Sequence, residues 1–539
     1  MSPSASVQSG STPSSGVRIA LLYKRDAGVD SELAHWLQAE LSRHGHTVFI
    51  DRNLQVGVKW AGEIEQHIRK ADAIIPLISR SAIDSEMLGF EIEHAHACAL
   101  DQQGRPQILP VRVSYTGPLH EPMAGILDPV QYFLWEGEGS NEGLAAELLN
   151  ALQNLPPAET AGTLVPAKGE RLTPKFVARA AAAAATETRA ETQATVSTLP
   201  LALESVGGAV PLRSPFYLER PVDQAMESAL NSRESIVLLK GSRQMGKTSL
   251  LARGLNWARE HGARAAFTDL QKFNDRNLKS ADVFYHTLGE SLADQLGLQA
   301  LPSDGWDSRR SANVNFERYL RSEVLLNSNR PLVWGLDEVD RLFSVPFGSE
   351  VFGLFRSWHN ERALDPSGPW SALTLLISYA TEAHLFITDL NQSPFNVGTR
   401  LELDDFTQAQ VAELNRRHHN PVKSGDDLNR LTRLLGGHPY LIRRALHELA
   451  AQTTTFAKFE AEADSDNGIF GDHLRRILVL LAKDPGLMEV VRGMLRSEPC
   501  PDTESFYRLR SAGLLKGSTQ ADAHLRCRLY ATFLKRHLS

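Results

Sequence analysis

Apolar residues fall into short runs separated by amphipathic stretches. Residues 17–22, 47–50, 73–78, 107–113 and 130–134 are rich in aliphatic and β-branched side chains, and each run predicts a strand. Between them Leu33, Trp36, Leu37 and Leu41 share one helical face, as do Ile64 and Ile68. Strands apolar on both faces and alternating with helices predict a parallel sheet covered on both sides. Residues 17–150 are therefore expected to form a small doubly wound α/β domain of about five strands, with ligands at the carboxyl ends of its strands. Residues 236–239, 265–269, 332–336 and 373–378 repeat the pattern on a larger scale. From about 471 onward the pattern changes to short helices at 474–481, 487–495 and 506–509.

Composition changes the picture in two places. Residues 1–16 are rich in Ser, Pro and Gly and predict a disordered lead, and 151–214, with Pro156-Pro157 and an alanine run over 180–185, predict a linker. Of 539 residues, 42% are hydrophobic and 22% charged, which suits several packed domains. Net charge is −7, too mild for a chain that wraps nucleic acid or adheres to acidic membranes along its whole length. The three cysteines, Cys98, Cys500 and Cys527, have neither disulfide-framework nor metal-knuckle spacing, which fits a reducing compartment. With no apolar run of spanning length and no secretory signal, the expectation is a cytoplasmic protein without membrane partners.

The first chemical motif is Gly241-Ser242-Arg243-Gln244-Met245-Gly246-Lys247-Thr248, which follows a predicted strand and leads into a predicted helix at 249–258. Its spacing is that of a phosphate-binding loop, with Gly241 and Gly246 for the backbone curl, Lys247 for the β/γ-phosphates, and Thr248 and Ser249 at the helix start. The strand at 332–336 then delivers Asp337 and Glu338 to its tip. Thr248 and Asp337 suit a Mg²⁺ shell, and Glu338 suits the orientation of an attacking water. ATP or ADP with Mg²⁺ is the expected ligand pair, whether hydrolysed or only bound.

These residues, with Tyr217-Leu218-Glu219-Arg220-Pro221, Leu336-Asp337-Glu338-Val339-Asp340 and Ser393-Pro394-Phe395-Asn396-Val397-Gly398, resemble the AAA-like ATPases of the STAND signalling class. Gly436-Gly437-His438-Pro439-Tyr440-Leu441 looks like that class's Gly-x-Pro element, in which Pro439 would lie against the nucleotide. The resemblance covers 215–450 and implies a switch closed with ADP and self-assembling with ATP once a trigger is sensed. It places a γ-phosphate sensor at Ser378 or Thr381. Arg356 and Arg362 could serve as arginine fingers across a subunit interface or be plain surface residues.

Residues 17–150 resemble a bacterial TIR domain, with a flavodoxin-like fold, through Tyr23, Phe49-Ile50-Asp51, the 52–60 loop and Ala71-Asp72-Ala73. NAD-cleaving TIR domains carry a glutamate four residues after a Trp, following a serine-rich turn. Here Ser79-Arg80-Ser81 precedes Met87 and Glu91, so Glu91 occupies the catalytic position and Met87 replaces the Trp. The resemblance implies NAD⁺ as substrate and places Tyr23, Asp51 and Trp60 at the NAD pocket or assembly loop; Trp60 is equally readable as core, and Glu91 as a helix-surface glutamate. A carboxylate there would stabilise the oxocarbenium charge formed as nicotinamide leaves. His94, His96 and Cys98 do not converge, because 96 points away from the helical face that 94 and 98 share.

Residues 471–539 hold twelve Lys and Arg against seven Asp and Glu. This end of 451–539 resembles a winged helix, mostly α, and two roles stay open: internal regulation, which is favoured, or DNA binding near Arg526. Together the resemblances imply an anti-phage effector in which an ATP-dependent switch assembles TIR domains that hydrolyse NAD. The alternatives are a TIR scaffold without turnover and a nucleotide-controlled DNA-binding regulator.

Overall fold

The computed structural model describes residues 16–25, 27–50, 58–119, 123–155, 203–274, 276–380 and 394–538, excluding the side chains of 58–61. The lead at 1–15, the linker from 156 to 202, Asp51 and Thr381 lie outside the described residues.

The N-terminal domain contains β1 (Arg18–Leu22), α1 (Gly28–Arg43), β2 (Thr47–Ile50), α2 (Val58–Lys70), β3 (Ala73–Ile78), α3 (Glu86–Asp101), β4 (Gln107–Ile108), β5 (Val111–Val113), α4 (Met123–Leu127), β6 (Phe133–Trp135) and α5 (Asn141–Gln153). Its sheet is parallel in the order β2-β1-β3-β5-β6, with β4 also on β3. The strand expected at 107–113 is divided at Leu109-Pro110: Gln107 pairs with Ala73, and Val111 resumes opposite Leu77. Pro110 has no N–H to give the ladder, which accounts for the break. Leu33, Leu37 and Leu41 of α1 and Leu144 and Leu148 of α5 bury one face of the sheet. Ile64 and Ile68 of α2 and Leu88 and Ile92 of α3 bury the other.

The middle of the chain forms α6 (Pro221–Asn231), β7 (Ile236–Lys240), α7 (Lys247–Glu260), β8 (Arg264–Asp269), α8 (Ala281–Leu296), α9 (Ala312–Tyr319), β9 (Leu332–Asp337), α10 (Gly348–Leu364), β10 (Leu373–Tyr379) and β11 (Thr399–Glu402). All five strands are parallel, in the order β11-β7-β10-β9-β8. The phosphate-loop strand β7 thus lies beside β10 rather than its sequence neighbour β8, a topological switch of the kind at which α/β sheets bind ligands. Met226, Leu250, Leu251 and Leu255 cover one face, and Phe284, Phe316, Phe352 and Trp358 the other.

The remaining elements are α11 (Gln408–Arg417), α12 (Gly425–Leu435), α13 (Pro439–Ala450), α14 (Phe456–Glu462), α15 (Gly471–Ala482), α16 (Pro485–Leu495), α17 (Thr503–Ser511), β12 (Leu515–Lys516), β13 (His524–Leu525) and α18 (Arg528–Leu538). After Gly513 the chain forms the antiparallel β12-β13 hairpin, with Leu515 opposite Leu525. Leu414, Leu431, Ile442, Leu474, Phe506 and Phe533 share one core with Phe216 and Leu218. Val479 and Ala482 of α15 instead pack into the N-terminal domain's core, joining the two ends of the chain.

Candidate functional site

The loop between β7 and α7 is curled by two left-handed residues, Gln244 at φ 61° and Gly246 at φ 94°. A loop curled in this way turns successive backbone N–H groups inward at a helix N-terminus, a geometry suited to an anion. Lys247 is buried and its Nζ donates to the Ser242 carbonyl at 3.3 Å. Thr248 Oγ1 donates to Asp337 Oδ2 at 2.6 Å, and the Glu338 N–H donates to Asp337 Oδ1 at 3.0 Å. Thr248 and Asp337 therefore offer a hydroxyl and a carboxylate side by side, a hard-oxygen pair suited to Mg²⁺. When bound there, Mg²⁺ supplies neutralisation of the phosphate oxygens. Glu338 stands at φ 52°, and burial raises its pKa against the pull of Lys247.

Ser249 Oγ accepts from the Val210 N–H at 2.9 Å, so this serine anchors the segment entering the middle domain. Asp340 accepts from the Ala380 N–H at 2.9 Å and ties the β9 tip to the end of β10. Ser378 is fully buried opposite Leu239 of β7, with no hydrogen-bond partner for its Oγ. Arg356 also has guanidinium nitrogens, Nε and Nη1, without a partner. Arg362 donates to the carbonyls of Leu373, at 3.1 Å, and Arg233. It braces its own subunit, which removes it as an arginine finger in this conformation.

Above the loop lies a cavity of about 440 Å³, of a size that holds small ligands. The phosphate loop forms its floor, Gly207, Tyr217 and Leu218 form one side, and Pro439, at the first turn of α13, forms another. His438, the N-cap of α13, is buried and held neutral by burial and by Arg526 nearby. Arg526 donates to Ser242 Oγ at 3.0 Å and to Asp405 at 2.5 Å. The C-terminal basic cluster is largely paired within the chain, for Arg510 meets Glu402 at 2.8 Å and Arg536 meets Asp464 at 3.2 Å.

In the N-terminal domain Glu91 lies on α3 with 4% of its surface exposed, and Met87 is buried one turn earlier. Tyr23 is buried in the core under the opposite sheet face. Trp60 falls within α2, its side chain outside the described residues. Ser85 caps α3 by accepting from the Leu88 N–H at 3.1 Å. Asp30, wholly buried, accepts from Ser79 Oγ at 2.7 Å and props the turn leading to α3; burial raises its pKa to about 6 although Ser79 opposes the shift. Cys98 and His94 do share a face, with Sγ 3.7 Å from Nε2, and no metal-holding cluster occurs among the described residues.

Two arrangements escaped sequence reasoning. Arg526 lies 281 residues beyond Met245, so nothing local signalled its contact with the phosphate loop. Glu86, at the start of α3, also lines the cavity, although its sequence context is only that of a helix N-terminus.

Comparison with known proteins agrees with this geometry. A model of the AAA-like domain matches residues 205–536, and a model of the TIR domain matches 19–149. No curated protein matches the chain. Among solved structures, the Walker-type ATPase PABY2304 of Pyrococcus abyssi is 17% identical, with 58% of this chain and 94% of that chain covered and a TM-score of 0.43. The ORC1 protein of Aeropyrum pernix in complex with DNA is 14% identical, over 60% and 93% of the chains at a TM-score of 0.32. AMPPCP-bound DnaA from Aquifex aeolicus is 13% identical, over 55% and 79% at 0.29. No described helix is long and apolar enough to cross a membrane.

Proposed function

The chain belongs to the AAA-like domain family and carries a TIR domain ahead of it, a fusion that fits a signalling or defence effector, and from that premise we propose that it is an ATP-controlled, self-assembling NAD⁺ hydrolase of anti-phage type. The observation that carries this reading is the joining of a complete phosphate site to α3, the helix that bears Glu91. In the middle domain Lys247 holds the phosphates, Thr248 and Asp337 hold Mg²⁺, and Glu338 orients the water. Ser378 and Thr381 are the candidate reporters of the γ-phosphate, and Arg356 is the candidate finger supplied to a neighbouring copy.

In the TIR domain the glycosidic bond between nicotinamide and ribose breaks with its electron pair going to the nicotinamide nitrogen, which becomes neutral. No general acid is therefore needed for departure. Glu91 stabilises the oxocarbenium charge left on the ribose carbon and orients water, whose addition gives ADP-ribose and releases one proton. In the described conformation Glu91 is shielded from solvent, consistent with activity confined to an assembly.

The test is NAD⁺ consumption by the purified full chain with ATP and Mg²⁺ at assembly-favouring concentrations, beside Glu91→Ala and Lys247→Ala. Wild type consumes NAD⁺, Glu91→Ala does not, and Lys247→Ala loses the ATP dependence. An active wild type equalled by Glu91→Ala would refute the assignment of Glu91.

A further inference from the structure

A phosphate loop needs nothing from a TIR domain, yet Glu86 reaches it. Its carboxylate accepts from Gln244 Nε2 at 2.5 Å, within the loop, and lies 3.2 Å from His473 Nδ1 of α15. Burial alone would raise its pKa, but His473, Arg476 and Gln244 outweigh that and hold it down to about 2. The carboxylate is therefore a fixed anion at the edge of the nucleotide cavity. Arg476 donates to the Glu86 carbonyl at 3.2 Å and stands 5.4 Å from the centre of the Phe90 ring. His473 Nε2 and the Tyr530 hydroxyl, 2.7 Å apart, continue the network into α18.

Further along α15 the same two domains also meet at residues that do not line the cavity. Val479 is buried in the TIR core, and Lys483 pairs with Glu65 of α2 at 3.1 Å. The contact thus has a part that lines the cavity, where Glu86 and Phe90 face His473, Arg476, Ile477 and Leu480, and a part that does not, at Val479 and Lys483.

We propose that Glu86 is a nucleotide-site residue contributed by the TIR domain, closing one wall of the cavity around a nucleoside polyphosphate, so that nucleotide retention and TIR docking on α15 form one linked equilibrium. The chemistry is the sharing of cations between two anions, the carboxylate and the phosphate chain. Arg243 of the phosphate loop lies in the field of both Arg476 and Glu338, so a phosphate chain entering the cavity acts on the charges that hold Glu86. Linkage is reciprocal: if the docked TIR domain slows nucleotide release, bound nucleotide must stabilise the docking. Because α3 also carries Glu91, the same equilibrium would set the position of that carboxylate. This last consequence alone rests on the reading of Glu91 as catalytic.

The experiment uses the full chain and the N-methylanthraniloyl derivative of ADP, chased with excess ADP. Glu86→Ala removes the carboxylate contacts to Gln244 and His473, and Val479→Asp breaks docking at a position that does not line the cavity. Both variants should release the probe about 5-fold faster or more, the lower end of ordinary coupling between sites. In the wild type, saturation with ADP should slow amide exchange in α3 and α15. Unchanged release from Val479→Asp, with α3 exchange showing the TIR domain undocked and β7 and β10 protected as in wild type, would overturn the proposal. Should either variant fail to fold, the wild-type exchange decides: α3 and α15 indifferent to ADP would overturn it equally. NAD⁺ consumption with ATP and Mg²⁺ at assembly-favouring concentrations reports on Glu91 separately, so a shift in release beside a Glu91→Ala chain as active as wild type refutes the catalytic reading and leaves the linkage standing.

Discussion

Gly246→Ala perturbs the phosphate loop at its most constrained point. Gly246 stands at φ 94°, and a Cβ there would come 3.3 Å from Arg220 Nη2. Arg220 cannot retreat freely, since its Nη1 donates to the Met245 carbonyl at 3.0 Å. A left-handed non-glycine residue costs roughly 1–2 kcal/mol, and displacing Arg220 adds to that. The strain has two places to appear. If the loop keeps its shape, the domain loses about that much stability; if the empty loop relaxes, binding must restore the strained form, and affinity falls about 5- to 30-fold. Gly262→Ala is the control, with φ 83° but no heavy atom within 4 Å of the added Cβ, just past the end of α7. It should cost stability alone. Isothermal titration with ADP and thermal unfolding, run on both variants, separate the two terms. A Gly246→Ala protein with wild-type stability and wild-type ADP affinity would refute the loop's assignment as the phosphate site.

Asp30 gives a pH prediction. Its folded pKa of about 6 exceeds the ordinary 3.8, so the folded state binds the extra proton, and this group's contribution to stability is fully present below about pH 4 and lost as pH rises through 6. Asp30→Asn, which keeps an acceptor for Ser79, should therefore gain on wild type between pH 4 and 6, by on the order of 2 kcal/mol, read as exchange protection of β1 and β3; a difference that stays flat with pH refutes this. Arg526→Ala leaves Asp405 with Lys516 and strips a buried charge from beside the phosphate loop, so a loss of about 2–3 kcal/mol of unfolding free energy, read from the shift of the denaturant midpoint, is expected. Arg362→Ala should lower the melting temperature, having lost its carbonyl partners, whereas Arg356→Ala should leave it near wild type and reduce only concentration-dependent ATP hydrolysis.

Most strands were legible because each is an apolar run, and the phosphate loop because its chemistry fixes residue types at fixed spacing. What could not be read was local weakness or distant contact. β11 is four residues with only Leu401 buried, too short and too polar to stand out, and it exists because β7 offers it an edge. Pro110 was visible, but its effect depends on which partner strand needs the missing N–H. Glu86 has the local context of an ordinary first-turn acid, beside the capping Ser85. Its second role depends on Gln244 and His473, 158 and 387 residues away, and no periodicity within α3 carries that information.

The size of that contact bears on how a switch built on it would work. Moving a docked domain from almost wholly closed to almost wholly open takes about 5.5 kcal/mol of differential binding. Coupling between two sites in one chain ordinarily amounts to about 1–3 kcal/mol. The part of the interface around Glu86 lines the cavity, while Val479 and the Lys483–Glu65 pair lie outside it and hold on regardless of what the cavity contains. On the proposed reading, exchange of nucleotide alone would loosen the TIR domain without releasing it, and a second free-energy source must act on the part of the contact away from the cavity. Self-assembly supplies such a source in a concentration-dependent form, since each new interface adds to the open state only. The chain should therefore show little NAD⁺ loss with ATP when dilute and a steep rise with protein concentration, and Val479→Asp should move that rise to lower concentration. A turnover per chain that is independent of concentration, in wild type and variant alike, would show that nucleotide exchange suffices by itself.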